Sequence, residues 1–198
     1  MSLRLSYTLL SPFYDLVAGP AFRKARRDSL SALPRGGHGA VLVNGVGSGL
    51  DLPLLPPGHA YVGLDLTRAM LARCARRAGG LRFSAVQGDS LALPFRDASF
   101  DCAVLHLILA IVPDAGRALA ETARVVRAGG TVLILDKFLK RGESAPLRRL
   151  LHPLAARLVT RLDVVFEDVL ARVPTLRLVS DEPAAVRGWV RRIRLEKR

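Results

Sequence analysis

Short apolar runs alternate with helix-length amphipathic segments along most of this 198-residue chain. Five of the runs have the length and composition of buried strands, and they cover residues 41–44, 60–65, 81–86, 100–105 and 131–135. Continuous apolar strands are typical of parallel sheets that are covered by helices on both faces. The pattern therefore predicts an α/β fold, a doubly wound sheet built from parallel strand–helix–strand units.

Helix-like segments separate these strands at the spacing that such a fold requires. A first helix is predicted over residues 13–33, before the first strand. It carries a basic cluster made of Arg23, Lys24, Arg26 and Arg27. Thr67 is expected to cap a second helix that Gly79–Gly80 ends. Pro113–Asp114 is expected to open a third helix that Gly129–Gly130 closes.

The pattern changes after the fifth strand. Residues 145–162 form an amphipathic stretch rich in leucine and arginine, and residues 163–172 predict a further helix. Residues 176–179 and 189–195 predict two closing strands, of which the last alternates apolar and basic positions, as an antiparallel strand with one wet face does. We expect one domain of four parts: an N-terminal helical segment, a parallel core, a helical cap and C-terminal strands, at 1–38, 39–138, 139–174 and 175–198.

The composition narrows the possible settings of this domain. A net charge of +13 would attract nucleic acid or an anionic membrane surface, although arginine that simply fills solvent-exposed positions would give the same charge. The N-terminus is a poor signal peptide, and no apolar run is long enough to span a bilayer. Cys74 and Cys102 lack the spacing of a zinc site or a disulfide framework, so no metal is expected and a reducing cytoplasm is the predicted setting.

The most informative stretch joins the first strand to a loop with glycine at every second position, Gly45, Gly47 and Gly49. Glycine there permits positive φ and lets a ligand approach the backbone closely. The second strand then ends in Asp65, and Asp89 follows the third. A glycine loop with acids at the ends of the next strands predicts an adenosine-binding site, although each aspartate alone would also suit a turn or a helix cap.

The G-x-G-x-G spacing, with Leu50-Asp51-Leu52-Pro53 after it, resembles class I S-adenosylmethionine-dependent methyltransferases rather than dinucleotide-binding enzymes. The resemblance implies a Rossmann-like sheet of seven strands, with the last one antiparallel, and S-adenosylmethionine as the cofactor. It also implies that Asp65 accepts hydrogen bonds from the ribose hydroxyls and that Asp89 and Ser90 lie beside the adenine. The cofactor-binding residues that it implies are Asn44, Gly45, Val46, Gly47, Gly49, Asp65, Leu66, Gly88, Asp89, Ser90 and Leu105.

One position departs from the family pattern. The loop is usually preceded, two residues before its first glycine, by Asp or Glu, and here that position is Val43. Asn44 cannot replace the acid, because successive side chains of a strand point to opposite faces. In the family that acid helps to orient the loop and the methionine end of the cofactor. The substitution leaves open a non-catalytic relic that binds the cofactor without turnover.

Within the superfamily the chain is similar to small bacterial phosphatidylethanolamine N-methyltransferases and to ubiquinone and menaquinone C-methyltransferases. The likeness lies in the loop, in Val112-Pro113-Asp114 after the fourth strand, and in Tyr14-Asp15 with the basic helix. It implies a small-molecule or lipid-like acceptor, with the amine of phosphatidylethanolamine as one candidate. Two segments, 13–27 and 145–162, would suit peripheral docking on an anionic inner membrane face, or equally packing on the sheet.

Candidate catalytic residues are few. His106 follows the fourth strand, at the edge where ligands gather in such sheets, and would suit a general base, or would be a packed structural residue. Tyr14 is a second candidate, since it would close over the cofactor or a substrate amine by a cation–π contact, or would more simply pack the first helix. A nucleic-acid methyltransferase would explain the charge, but the chain has no Asn-Pro-Pro-Tyr-type motif after the fourth strand, which makes nucleic acid the less favoured partner.

Overall fold

One sheet organises the residues that the computed structural model describes, 22–34, 37–139 and 164–198. Its strands are β1 Ala40–Asn44, β2 Ala60–Asp65, β3 Arg82–Gln87, β4 Phe100–His106, β5 Val126–Lys137, β6 Leu176–Ala185 and β7 Val190–Lys197. The helices are α1 over 22–30, α2 Arg68–Arg77, α3 Ala115–Val125 and α4 Phe166–Ala171, with 3-10 turns at Leu52–Leu54 and Val186–Gly188. Among these described helices, none is long and apolar enough to cross a membrane.

The strand order is β3-β2-β1-β4-β5-β7-β6. The first five strands are parallel to one another, whereas β7 is antiparallel to both β5 and β6. The predicted doubly wound sheet of seven strands, with its last strand antiparallel, is thus confirmed. The order reverses at β1, whose neighbours are β2 on one side and β4 on the other, and ligands of such sheets bind outside the carboxyl ends of the strands at this reversal.

The central strands β1, β4 and β5 are buried on both faces, as the apolar strands predicted, whereas the edge strands β3 and β6 are mostly exposed. Leu42 and Leu105 pack with α3 and α4 on one face, while Val43 and Val104 pack with α1 and α2 on the other. Alternation along each strand produces this division, because neighbouring side chains point to opposite faces. An acid at position 43 would therefore have faced the side of the sheet that α1 covers.

The junction of α3 and β5 differs from the prediction that Gly129–Gly130 ends the helix. α3 ends at Val125 and β5 begins at Val126, so both glycines lie inside the strand, in an irregular stretch where the register with β4 shifts. A Cβ on Gly130 would lie 2.7 Å from the carbonyl oxygen of Asp101. Gly130 thus serves a close approach of two strands, and Gly129, with a φ of +72° and open space around it, serves the local backbone bend rather than a helix end.

Other boundaries also move. The described part of α1 ends at residue 30 instead of 33, and β6 continues to Ala185. Thr67 occupies the N-cap position of α2 but does not cap it, because its hydroxyl donates to Asp65 Oδ1 over 3.0 Å. His106 is the last residue of β4 rather than the first after it. The predicted stretch 145–162 lies outside the described residues.

Asp114 joins the beginning of α3 to the end of α4. Its Oδ1 accepts from Arg117 N at 3.0 Å, which caps α3, and its two carboxylate oxygens accept from Arg172 at 2.7 and 3.0 Å. These contacts, with the Arg172 guanidinium first, lower the pKa of Asp114 to about 2. The carboxylate therefore supports the fold only while it is ionised.

We predict that Asp114→Ala lowers the free energy of unfolding by about 1–2 kcal/mol, the sum of a lost cap and an exposed ion pair. The ordinary pKa of 3.8 exceeds the value in the folded protein, so the contribution is present above pH 3.8 and is lost as the pH falls towards 2. Urea unfolding at pH 7 and at acidic pH measures both effects.

Asp114→Ser is the matched control, because serine keeps the cap and removes only the ion pair with Arg172. It should lose less than about 1 kcal/mol. Equal stability of wild type and Asp114→Ala at pH 7 would contradict this assignment.

Candidate active site

A cavity lies at the carboxyl ends of β1, β2 and β4, where the strand order reverses. Seven of the eleven predicted cofactor-binding residues line it: Gly45, Val46, Gly47, Asp65, Leu66, Asp89 and Ser90. His106, the predicted base, lines it as well. Tyr14, the other catalytic candidate, lies outside the described residues.

The glycine loop is shaped by its neighbours. Gly45 has a φ of +74°, and a Cβ there would lie 2.6 Å from Ile108 Cγ1, so no larger residue fits. Its N–H and that of Val46 both donate to Leu64 O at 2.9 Å, which ties the loop to β2. Gly47 has a φ of +55°, and a Cβ there would meet nothing closer than Gly45 O at 4.0 Å. Gly47 therefore leaves open space where a ligand can approach the backbone.

The Asp65 carboxylate is held against this loop. Its Oδ2 accepts from Gly47 N at 3.0 Å, and its Oδ1 accepts from the N–H and hydroxyl of Thr67 at 2.9 and 3.0 Å. A carboxylate has about four lone-pair sites, so acceptor capacity remains after these three bonds. Asp65 is fixed in orientation and can still accept from a ligand hydroxyl.

Asp89 and Ser90 follow β3. Asp89 Oδ1 accepts from Leu91 N at 2.9 Å, a turn contact that leaves its Oδ2 without a hydrogen bond in the part of the chain that the structure describes. Ser90 Oγ donates to Asn44 Oδ1 at 2.7 Å, and Asn44 Nδ2 donates to Thr122 Oγ1 at 3.2 Å. The Asn44 side chain therefore links the segment after β3 to α3. It is fully buried and is not part of the cavity wall.

Three more predicted residues lie behind the cavity wall. Leu105 is fully buried in the core that α3 covers. A Cβ on Gly49 would lie 3.1 Å from Cys74 Cα, and one on Gly88 would lie 2.9 Å from Leu64 Cδ1. Both glycines therefore allow tight packing beneath the loops.

A buried polar chain borders the cavity on the side of β4. Arg26 Nη1 donates to Asp51 Oδ1 at 2.8 Å, and His106 Nδ1 lies 2.8 Å from the same oxygen. His106 Nε2 lies 3.0 Å from Ser29 Oγ. All four residues are at most 5% exposed, and Arg26, Asp51 and His106 line the cavity. This chain of hydrogen bonds connects α1, the segment after the glycine loop, and the end of β4.

These contacts keep Asp51 ionised. Burial alone would raise its pKa, but His106 and Arg26 act in the opposite direction more strongly and hold the pKa well below its usual range. Both ring nitrogens of His106 are meanwhile engaged by protein groups. The geometry therefore supports a positioning function for His106 more than proton transfer to or from a ligand.

The sequence prediction missed Arg26, Ser29 and Asp51 as site residues. The predicted basic cluster of α1 divides in the structure, since Arg23, Lys24 and Arg27 are exposed whereas Arg26 is buried. A signal was present in Asp51, an ionisable residue enclosed by Leu50, Leu52 and Leu54. A charge in such an apolar run requires a buried partner.

The segment after β4 supplies an apolar wall. Leu107 has a φ of +59°, and its N–H donates to Leu135 O at 2.8 Å. Ala110 N donates to the buried Asp136 Oδ2 at 3.0 Å, which fixes the turn, and burial raises the pKa of Asp136. The residues of this segment that line the cavity are His106, Leu107, Ile108, Ile111, Val112 and Pro113.

Comparisons with known proteins agree with this geometry. A family model described as a methyltransferase domain matches residues 42–134. A phosphatidylethanolamine N-methyltransferase of Cereibacter sphaeroides is 32% identical over 190 residues, which cover 93% of each chain. The chain belongs to the class I S-adenosylmethionine-dependent methyltransferases. Its cofactor is accordingly S-adenosylmethionine, as the glycine loop and the two strand-end acids predicted.

Two further likenesses are consistent with this membership. A demethylmenaquinone methyltransferase of Roseiflexus castenholzii is 38% identical over 109 residues, which cover 54% of this methyltransferase and 46% of that protein. The crystal structure of a SAM-dependent methyltransferase from Thermotoga maritima superposes with a TM-score of 0.74 at 18% identity, covering 99% and 100% of the two chains. At this identity the structural likeness shows the shared fold alone.

We predict that His106→Ala lowers the free energy of unfolding by about 1–3 kcal/mol, because it deprives the buried Asp51 carboxylate of one of its two hydrogen-bond partners. Ser29→Ala is the matched control, since it removes only the hydroxyl that contacts His106 Nε2. It should lower the free energy of unfolding by about 0.5–1.5 kcal/mol. Urea unfolding at pH 7 compares the three proteins. A His106→Ala variant as stable as the wild type would contradict a positioning function.

Proposed function

We propose that this methyltransferase binds S-adenosylmethionine in the cavity at the β1 reversal and methylates the headgroup amine of a phosphatidylethanolamine-type lipid. Gly45 and Gly47 would admit the cofactor close to the backbone, Asp65 would accept from the ribose hydroxyls, and Asp89 would accept from the adenine amine. The single observation that carries the acceptor is the 32% identity with a phosphatidylethanolamine N-methyltransferase over 93% of both chains.

The residues present fit the adenosine end of such a cofactor. Asp65 and Asp89 present carboxylates to the cavity. Leu66 also lines the cavity, and its 40% exposed side chain offers an apolar surface. Purine rings pack on apolar side chains, while carboxylates accept from hydroxyls and amines. When bound, the cofactor supplies a methyl group already activated by its sulfonium charge.

The choice of an amine acceptor has support from the side chains around the cavity. A primary amine is mostly protonated at neutral pH, and once that proton has passed to solvent its lone pair can form the N–C bond as the C–S bond breaks, so alignment of the two reactants supplies most of the acceleration. Methylation of a quinone carbon would gain more from a general base. His106 is the one histidine that lines the cavity within the described ranges, and both of its nitrogens have protein partners. The arrangement supports N-methylation over C-methylation.

A lipid acceptor also fits the apolar wall after β4. The cavity is lined there by Ile108, Ile111 and Val112, close to the carboxyl end of β4. The acceptor would enter at this end. We propose peripheral membrane contact through the exposed side of α1, where Arg23 and Arg27 would meet anionic headgroups. The apolar wall would then contact the acyl chains of the lipid.

The acceptor is tested by transfer of a tritiated methyl group from S-adenosylmethionine into vesicles. We expect labelling of phosphatidylethanolamine vesicles and none of phosphatidylcholine vesicles, because the quaternary amine of choline has no lone pair. Demethylmenaquinone in the same vesicles and total RNA form the remaining arms. Labelling confined to the quinone or the RNA would overturn the proposed acceptor, and adding phosphatidylglycerol should raise the rate if anionic headgroups recruit α1.

The cofactor site is tested by Asp65→Ala. We expect this variant to lose about tenfold to a hundredfold in affinity for S-adenosylhomocysteine, since hydrogen bonds to a charged acceptor contribute about 1.5–3 kcal/mol. Asp97→Ala is the matched control, because Asp97 is exposed and paired with Arg124 away from the cavity. Calorimetric titration measures both. Unchanged affinity of Asp65→Ala would refute the assigned contact with ribose.

A further inference from the structure

Arg26 and Asp51 pair with each other through only part of their hydrogen-bonding capacity. Asp51 uses Oδ1 for both of its partners, and its Oδ2 has no hydrogen bond among the described residues. Arg26 donates through Nη1 alone, and its Nε is buried with no partner in the same part of the chain. Both side chains are at least nine-tenths buried and both line the cavity. A buried guanidinium with one hydrogen bond out of five is incomplete.

The missing partners have a defined chemistry. An unpaired carboxylate oxygen calls for a cationic donor, and an unpaired guanidinium edge calls for an anionic acceptor. One small group carries both at adjacent atoms, namely the ammonium and carboxylate of an α-amino acid. The methionine portion of S-adenosylmethionine ends in this group.

The sheet places the pair on the correct side for that portion. Asp65 ends β2 and Asp89 follows β3, on one side of β1, whereas His106 ends β4 on the other side and contacts Asp51. The glycine loop lies between the two sides. A ligand whose adenosine is held by Asp65 and Asp89 would extend over the loop toward Arg26 and Asp51.

The absence of an acid at position 43 gives an independent reason to expect another acid, Asp51, at this end of the site. Val43 is 2% exposed in the apolar core under α1, so the strand carries no carboxylate where one is usual. Asn44 is neutral, and its amide is occupied by Ser90 and Thr122. Without a second acid, the ammonium of the methionine portion would lack a charged partner.

We propose that Asp51 has taken over the function of the absent acid at position 43, and that Arg26 and Asp51 together bind the amino-acid end of S-adenosylmethionine. Arg26 binds the carboxylate, Asp51 Oδ2 binds the ammonium, and His106 holds Asp51 in position from behind. The inference rests on the proposed cofactor site and deepens it, since it assigns the half of the ligand that Asp65 and Asp89 do not reach. The lowered pKa of Asp51 agrees with it, because the carboxylate stays charged at neutral pH.

Calorimetry with two ligands separates the two halves of the site. S-Adenosylhomocysteine carries the amino-acid end, whereas 5′-methylthioadenosine lacks it and keeps the adenosine. We expect Asp51→Asn to weaken binding of S-adenosylhomocysteine about tenfold to a hundredfold and to leave methylthioadenosine within about twofold. Asp65→Asn, the matched carboxylate-to-amide change, should weaken both ligands. Equal losses for both ligands in Asp51→Asn would overturn the inference, as would no loss for either.

A second measurement changes the ligand instead of the protein and then combines the two changes. Replacing the α-amino group of S-adenosylhomocysteine by a keto group should weaken binding to the wild type by the same factor as Asp51→Asn weakens the parent ligand. The two changes combined should give no further loss, since both remove one contact. Additive losses would overturn the inference. If the wild type binds neither adenosine ligand, the proposed cofactor site fails first, and this assignment fails with it.

Discussion

The reversal of strand order at β1 is the constraint on which the site depends. Because β2 and β4 flank β1 and their following segments leave in opposite directions, the carboxyl ends of these strands cannot be closed by one continuous layer of helices. The glycine loop, Asp65 and the apolar segment after β4 converge on the resulting opening. Every residue that lines the cavity between Gly45 and Pro113 owes its place to this reversal.

Asp51 adds a second constraint, which is electrostatic. A buried carboxylate is costly unless it is paired, and its partners come from α1 and from the end of β4. The Arg26–Asp51 pair and the Asp51–His106 contact together therefore fix the helix, the segment after the glycine loop and the strand end relative to one another. Val43, at the position where the family usually carries an acid, packs in the apolar core instead, so the charged group of this side of the site comes from Asp51.

Chain order was enough to predict the sheet, the glycine loop and the places of Asp65 and Asp89, because strand-end residues of a parallel sheet necessarily meet at one edge. It did not predict the pairing of Arg26 with Asp51 or of Asp51 with His106, which lie 25 and 55 positions apart. Periodicity cannot tell which of several consecutive basic residues turns inward when the partner is not local. The predicted end of α3 at Gly129–Gly130 was wrong for a related reason. A glycine pair indicates a bend in the backbone, but it does not indicate which distant strand the bend approaches.

The position of Arg26 on α1 has a thermodynamic consequence. If the cofactor contacts a side chain of that helix, then cofactor binding and helix docking are linked, and each must strengthen the other by the same factor. A partner that binds the outer, basic side of α1 more tightly when the helix is docked would raise affinity for the cofactor without touching the cavity. A surface that holds Arg23 and Arg27 would in this way act as an activator, so that the enzyme is best loaded with methyl donor where its acceptor is concentrated.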